Sequence, residues 1–436
     1  YVLHAVFLPH TIAKSNLILY DDYGFKQREL VMQQVVSLTL QELRVAAVLA
    51  SIFSLRMLGL CMLLPVFALE AHKFPHSTPQ LIGVAIGAYG LVQAVLQIPF
   101  GVLSDKYGRK PLILCGLVLL LAGSLIAAQA TSIYGLILGR VLQGSCAIGS
   151  VVIATLADHT RSQIRTRAMA LLGISIGLAF MCSMVLGPWI NKLVGFRAIF
   201  SVTAGLTVVA ITLLLIAIPK TAASRESVDM ACSVEREIVG LGNKRILFNL
   251  HFGVFVLHTS LAALFLVLPL IIQQAGFAND HLWQLYLGVL VIALMFSLRM
   301  ITQAEKRQQI DKLQIVAIVG LLVAEIWFCL LGGRGSVVIS LLIFFTAFCI
   351  LEASLPTLVS KTAASNKRGA ALGLYSSLQF LGIFFGGIMG GWLHSRFGAG
   401  AVIGLCLVLA ATWLSMAILW RDKVLHLNKT QGLNYG

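Results

Sequence analysis

The sequence predicts an all-α integral membrane protein: twelve transmembrane helices in two pseudo-symmetric six-helix halves. Three observations predict it. Only 11% of the residues are charged while 58% are hydrophobic, against ~25% charged in an ordinary soluble domain. So little charge cannot cover a surface in water, whereas lipid accepts Leu, Ile and Val on the outside. The apolar residues gather into twelve runs of about 20, the length that crosses a bilayer. A pair of related segments lies 203 positions apart, close to half of the apolar region.

The runs lie at about 46–69, 80–103, 111–131, 133–156, 167–192, 197–218, 246–274, 282–302, 313–332, 336–358, 369–393 and 397–420. Residues 1–45 form an N-terminal extension without the pattern of a secretory leader. Met32 opens the stretch MQQVVSLTLQELR, so residues before Met32 are expected to lie outside the native chain or to be poorly ordered. Residues 46–218 make the N-terminal half. The charged and polar stretch 219–245, PKTAASRESVDMACSVEREIVGLGNKR, links it to the C-terminal half at 246–420, and 421–436 form a tail.

The formal net charge of +15 does not point to nucleic acid, because the cations sit between apolar runs and not in one patch. Taking the first run outward, the even-numbered loops and the tail, with the run ends beside them, carry 21 Lys and Arg, and the odd-numbered loops with theirs carry 5. Positive charge accumulates on the cytoplasmic side, so both termini are expected in the cytoplasm. Seven cysteines lie inside apolar runs and Cys232 lies in the linker. None is spaced for metal, and neither metal nor cofactor is expected.

The related segments are GPWINKLVGFRA and GGWLHSRFGAGA. They agree at Gly187/Gly390, Trp189/Trp392, Gly195/Gly398 and Ala198/Ala401. Each crosses the boundary between the fifth and sixth run of its half. Two parallel six-span repeats place a solute site between them, near the bilayer midplane.

The strongest motif is Gly101-Val-Leu-Ser-Asp-Lys-Tyr-Gly-Arg-Lys110, after the second run. Gly101 allows close approach of a neighbouring helix. Asp105, at a helix end, can accept from the first amides of another helix. Gly108 permits a tight turn, and Arg109 and Lys110 add inside-positive charge. This decamer resembles the signature loop of the major facilitator superfamily. Gly139-Arg140-Val-Leu-Gln143-Gly144 resembles that superfamily's second motif, and Gly173, Gly177 and Gly187-Pro188 resemble the glycine-rich motif of its antiporters. FSLRMLGLCMLLPVF, LHTS, VAEIW and LEASLPTLVSK are similar to stretches of a bacterial inner-membrane member. That member carries a soluble domain after its last span, whereas this sequence runs sixteen residues past position 420.

The resemblance implies that Asp105 caps the eleventh helix in the outward-open state, and that Arg109 joins it to Asp158. It also implies that spans one, four, seven and ten line a cavity. Ionisable residues within spans are functional candidates by default. Glu352 is the candidate proton carboxylate, Arg56 its counter-charge or an anion contact, and Arg140 either a cavity-facing charge or a structural tie within the first half. Glu325, on the ninth span, is expected to snorkel or pair locally. His258 is a coupling candidate, and Gln93 and Tyr89 add polar lining. No P-loop, HExxH or credible Gly-x-Ser-x-Gly is present, so no enzyme and no catalytic residue is expected.

The expected function is a secondary active transporter in a bacterial inner membrane. It would be a monomer that exports a small organic or drug-like solute against protons, with the lipid bilayer as its surroundings and no nucleic acid as partner. Uptake by symport or uniport, and a non-transporting sensor on the same scaffold, stay open.

Overall fold

The structure is a computed structural model that describes residues 39–161, 164–217, 241–330, 333–363 and 368–430. Residues 1–38, most of the linker and the last six residues lie outside the described residues. Among the described residues all regular structure is helical. Twelve spans are long and apolar enough to cross a membrane, each with a mean hydropathy between 1.5 and 2.5 over its most apolar stretch.

In chain order the first six are α1 (Leu40–Cys61 and Leu64–Ala71), α2 (Pro79–Tyr107), α3 (Arg109–Gln129), α4 (Ile133–Gly144 and Gly149–Asp158), α5 (Arg165–Leu193) and α6 (Phe196–Ala217). The second six are α7 (Leu241–Gln274), α8 (Leu282–Lys306), α9 (Ile310–Leu330), α10 (Arg334–Thr362), α11 (Arg368–Phe397) and α12 (Ala399–Thr430). The last helix continues ten residues past the apolar stretch. Val95, Ile98, Met295, Phe296 and Val408 are exposed, as expected of side chains facing lipid. Charge is kept from the middle of those faces because hydrocarbon solvates it poorly.

Two spans are broken where hydropathy runs on without a dip. Pro65 has no N–H to give the carbonyl of Cys61, and α1 opens at Met62–Leu63. The chain of α4 opens at Ser145–Ile148. Both breaks sit against glycines or main chain of a neighbour. A Cβ on Gly187 of α5 would collide with the carbonyl of Met62, and one on Gly144 would lie 2.5 Å from the carbonyl of Tyr89.

The repeat seen in the sequence recurs in the geometry. Trp189 and Trp392 are each 43% exposed. Gly195 and Gly398 both adopt positive φ, at 97° and 78°, in the tight turns from α5 to α6 and from α11 to α12. Only glycine enters that region without strain. Gly187 packs on α1, and its counterpart Gly390 packs on Ala263 of α7.

One end of the bundle carries the Gly101–Lys110 turn (the loop end), and the other carries Gly195 and Gly398 (the far end). Toward the far end the halves touch. Their tightest seam is α2 against α11, where glycines let the two main chains meet. A Cβ on Gly387 would lie 2.7 Å from the carbonyl oxygen of Gly83, and one on Gly391 would lie 2.8 Å from that of Pro79. The second segment of α1 packs on α7, and α5 on α8. Near mid-span Phe180 stacks on Phe348, centroids 5.6 Å apart, and Tyr89 meets Phe380 edge-on at 6.1 Å. Toward the loop end the same helices part: added Cβ atoms on Gly173, Gly177, Gly369 and Gly373 would meet nothing within 4 Å.

This seam generates a prediction. Gly387→Val forces side-chain carbon into the main chain of α2 and should cost about 1–3 kcal/mol, as overpacking does. A lowered thermal unfolding midpoint of the detergent-purified protein is expected. An unchanged midpoint would show that α2 and α11 are not in contact there.

Candidate functional site

Two groups of polar side chains stand out, one at the loop end and one at mid-span. The first is built on the turn between α2 and α3, where Gly108 has φ 93°. Arg109, the first residue of α3, pairs with Asp105 one turn back and places Nε 3.1 Å from Asp158 at the end of α4. Its Nη1 donates to Ser104 Oγ at 2.6 Å, and that hydroxyl donates to the carbonyl of Gly101 at 2.7 Å. Lys110 Nζ donates to the carbonyl of Leu215 at the end of α6. The turn thus ties α2, α3, α4 and α6 together. A Cβ on Gly101 would sit an ordinary 3.5 Å from Ser150, so the neighbouring helix does not press as close as expected there. Gly369, at the start of α11, faces open space. Asp105 is therefore paired within its own half in this arrangement.

A second ion pair at the loop end has no counterpart in the sequence reading. Glu42, in the first turn of α1, accepts from Arg161 Nε at 2.9 Å, from Nη2 at 3.0 Å and from its amide at 3.2 Å. Hydrogen bonds given to Glu42 hold the Arg161 guanidinium above its ordinary range. This pair fastens the start of α1 to the turn after α4.

At mid-span the N-terminal half contributes two buried guanidiniums. Arg56 of α1, 1% exposed, donates from Nη2 to Gln93 Oε1 at 2.9 Å and to Tyr89 Oη at 3.4 Å. Gln93 in turn donates to Gln97 at 3.5 Å. Arg140 of α4 donates to Gln143 Oε1 at 2.9 Å and to the carbonyl of Ala85 at 3.4 Å, and lies over the Tyr89 ring at 4.6 Å. Gln143 passes the chain to Ser124 of α3 at 3.0 Å. Arg140 thus ties α4 to α2 and, through Gln143, to α3.

The C-terminal half contributes an acid, an imidazole and an amide. Glu352 of α10 places Oε2 3.5 Å from His258 Nε2 of α7. His258 Nδ1 lies 3.0 Å from the carbonyl of Val254. That nitrogen must donate, which leaves Nε2 of the neutral ring as an acceptor. Gln379 Nε2 of α11, 2.8 Å away, supplies the donor, and also reaches Glu352 Oε1 at 3.4 Å. His258 is buried, whereas the Glu352 side chain is 39% exposed. One turn before Glu352 on α10, Phe348 stacks on Phe180 of the other half, and the partly exposed acid borders the space between the halves.

The structure therefore brings Glu352 and His258 together, and separately Arg56, Tyr89 and Gln93. Arg56 and Glu352, expected as partners, make no direct ion pair among the described residues. Gln379 was missed, because a lone neutral amide in a glycine-rich helix carries no charge signal. Of the two expectations for Glu325, snorkelling is overturned: it is 0% exposed and pairs locally beside Ser260 of α7.

Residues 46–387 match the family described as Major Facilitator Superfamily. The chain is 41% identical over 375 residues to the inner membrane transport protein YajR of Escherichia coli (strain K12), covering 85% of this chain and 81% of that one. It is 25% identical to the multidrug resistance protein MdtH of Aeromonas salmonicida (strain A449), over 77% of this chain and 84% of that protein. Its fold resembles a bacterial homologue of the human lysosomal transporter Spinster, solved inward-facing and occupied. That match has a TM-score of 0.67 and 14% identity, over 87% of this chain and 96% of that one.

The Arg140 network makes a graded prediction. Gln143→Leu removes the closest acceptor of a buried cation and should cost about 2–3 kcal/mol, whereas Gln97→Leu removes one long amide contact and should cost about 1 kcal/mol or less. Thermal unfolding of both variants checks the order, and the reverse order would remove Gln143 from its role.

Proposed function

The chain belongs to the Major Facilitator Superfamily of membrane transporters, and on that premise we propose that it exports a small organic solute in exchange for protons. The observation that carries this reading is the cluster of Glu352, His258 and Gln379. It joins α7, α10 and α11, and its acid opens on the space between the halves. A proton arriving from that space can reside on the Glu352 carboxyl or on His258 Nε2. In the second case the imidazolium pairs with Glu352, and the Gln379 amide must turn its oxygen toward the ring. Either state alters what α11 is bonded to, and α11 is the helix seamed to α2. A proton that favours one bonding pattern shifts the balance between two arrangements of the halves.

The loop end is taken as cytoplasmic, since the loops on its side carry the excess of Lys and Arg. Both termini then lie in the cytoplasm of a bacterial cell, and the described arrangement is open inward. In the outward-open arrangement the loop end would close. Asp105 would then reach the start of α11, with Arg109 and Asp158 holding it in place. The direction of export rests on Gly187-Pro188 of α5, where Gly187 seats that helix on the break of α1, and on the distant likeness to a multidrug resistance protein. The transporter acts as a monomer.

In proteoliposomes under an imposed pH gradient, addition of a transported solute should release proton flux in the wild type. Glu352→Gln should abolish that flux by ~100-fold or more, in the range that loss of a proton-transfer group produces, while Asp105→Asn should slow it. Full proton flux in Glu352→Gln would remove the acid from the mechanism.

A further inference from the structure

His251 of α7 is held between two acceptors. It is 5% exposed. Its Nδ1 lies 2.7 Å from the carbonyl of Leu247, one turn back on the same helix, and its Nε2 lies 3.0 Å from the carbonyl of Ala371 on α11. A carbonyl oxygen only accepts, and a neutral imidazole carries hydrogen on one nitrogen alone. Both contacts are hydrogen bonds only when both nitrogens are protonated and the ring is an imidazolium. His258, two turns further along α7, shows the contrast. Its Nδ1 makes the same local bond to Val254, but its Nε2 meets the Gln379 side-chain amide, a group that can donate or accept. A neutral ring suits His258, whereas at His251 it sets a lone pair against a carbonyl.

The place of this contact gives it consequence. Glycines seat α11 on α7 from mid-span toward the far end: Cβ atoms on Gly382 and Gly386 would collide with the carbonyls of Phe255 and Thr259. Toward the loop end that packing stops, since Gly369 and Gly373 face open space. Among the described residues the His251–Ala371 bond is the hydrogen-bonded tie between α7 and α11 nearest the loop end. No acid fixes the proton there. The ionisable side chains on the helices around it are His258 on α7, Arg368 and Tyr375 on α11, and Glu352 and Lys361 on α10, with Lys244 and Arg245 exposed near the start of α7. The α12 helix carries no charged residue between Ala399 and Leu419. From the first half, Glu70 and Asp105 are paired with Lys73 and Arg109. Among the described residues none of these groups makes an ion pair with His251.

We infer that His251 is a second proton-binding site, whose charged form ties the loop-end segment of α11 to α7 and whose neutral form releases it. Histidine is the side chain that ordinarily changes charge between about pH 5 and pH 8. On losing its proton the ring keeps the shorter, local bond from Nδ1, and the bond lost is the one to α11. The site stands on its own hydrogen bonds, and its part in transport rests on the exporter reading. The described arrangement, open at the loop end, is the one that the proton on His251 favours. A proton from outside then draws the carrier inward-open. Its release to the cytoplasm frees α11 to reach Asp105, as exchange for an outgoing solute requires.

Hydrogen exchange of the α11 segment 368–378 reads the tie directly. It is measured in the detergent-purified full chain at about pH 5.5 and about pH 8, toward either end of the histidine range, and corrected for the intrinsic amide rate. Protection in the wild type should fall by about tenfold at the higher pH, the scale of one hydrogen bond. His251→Gln, whose amide can donate to Ala371 with no proton to lose, should stay protected at both. His251→Leu should be unprotected at both. The pH step should persist in Glu352→Gln, which separates His251 from that acid. Constant protection in the wild type would by itself overturn the inference. So would a step of wild-type size in His251→Gln, full low-pH protection in His251→Leu, or loss of the step in Glu352→Gln. A normal step in a protein that passes no protons in proteoliposomes would uphold the site and remove only the exchange reading.

Discussion

The contact on which the rest depends is the main-chain seam between α2 and α11. Between helices in lipid there is little hydrophobic gain from association, because the tails are as apolar as the side chains. Close packing has to supply the attraction, and glycines at Gly83, Gly387 and Gly391 allow it by bringing backbones together. The seam also sets the register of everything beside it. With Gly83 on Gly387, Tyr89 falls opposite Phe380 nearly two turns further on. Gln379 then lies where it can reach both His258 and Glu352. A single side chain inserted in the seam would displace the polar groups of both halves at once.

The two halves use one plan with different contents. Gly187 and Gly390 seat α5 and α11 on α1 and α7, and Gly195 and Gly398 turn the chain at the far end. Chemistry departs from this symmetry at mid-span. The N-terminal half holds guanidiniums bonded to amides and a tyrosine. The C-terminal half holds an acid whose imidazole and amide neighbours can each change their role. A rigid network in one half and a rearrangeable one in the other fits a body that carries charge and a body that responds to it.

Much of the architecture was legible in the sequence because lipid imposes it. A span must be helical, apolar and about 20 residues long, so composition along the chain locates each one. The Arg109–Asp158 pair was legible for a different reason, since the family resemblance of the Gly101–Lys110 loop implied it. What escaped was whatever leaves hydropathy unchanged. The breaks at Met62–Leu63 and Ser145–Ile148 lie in apolar or small residues, and only the backbone records them. Glu42 and Arg161 gave no signal in the sequence because their pairing spans most of the first half. Glu325 looked peripheral because span order says which helix a residue is on, not which face of it points inward. Gln379 escaped because its importance comes from two neighbours on two other helices.

The mid-span cluster also explains why an amide, and not a third ionisable group, joins the acid to the imidazole. A carboxylate at Gln379 would add a second negative charge beside Glu352, and neighbouring acids resist ionising together. A lysine there would hold Glu352 permanently ionised and leave it no reason to bind a proton. Glutamine donates through one terminal atom and accepts through the other, so a half-turn of its side chain meets either protonation state of His258 without changing the local charge. The helix that bears it is the one whose glycines face open space at the loop end and main chain at the far end. In the proposed mechanism a change in one proton's position therefore reaches the part of the fold with most room to move.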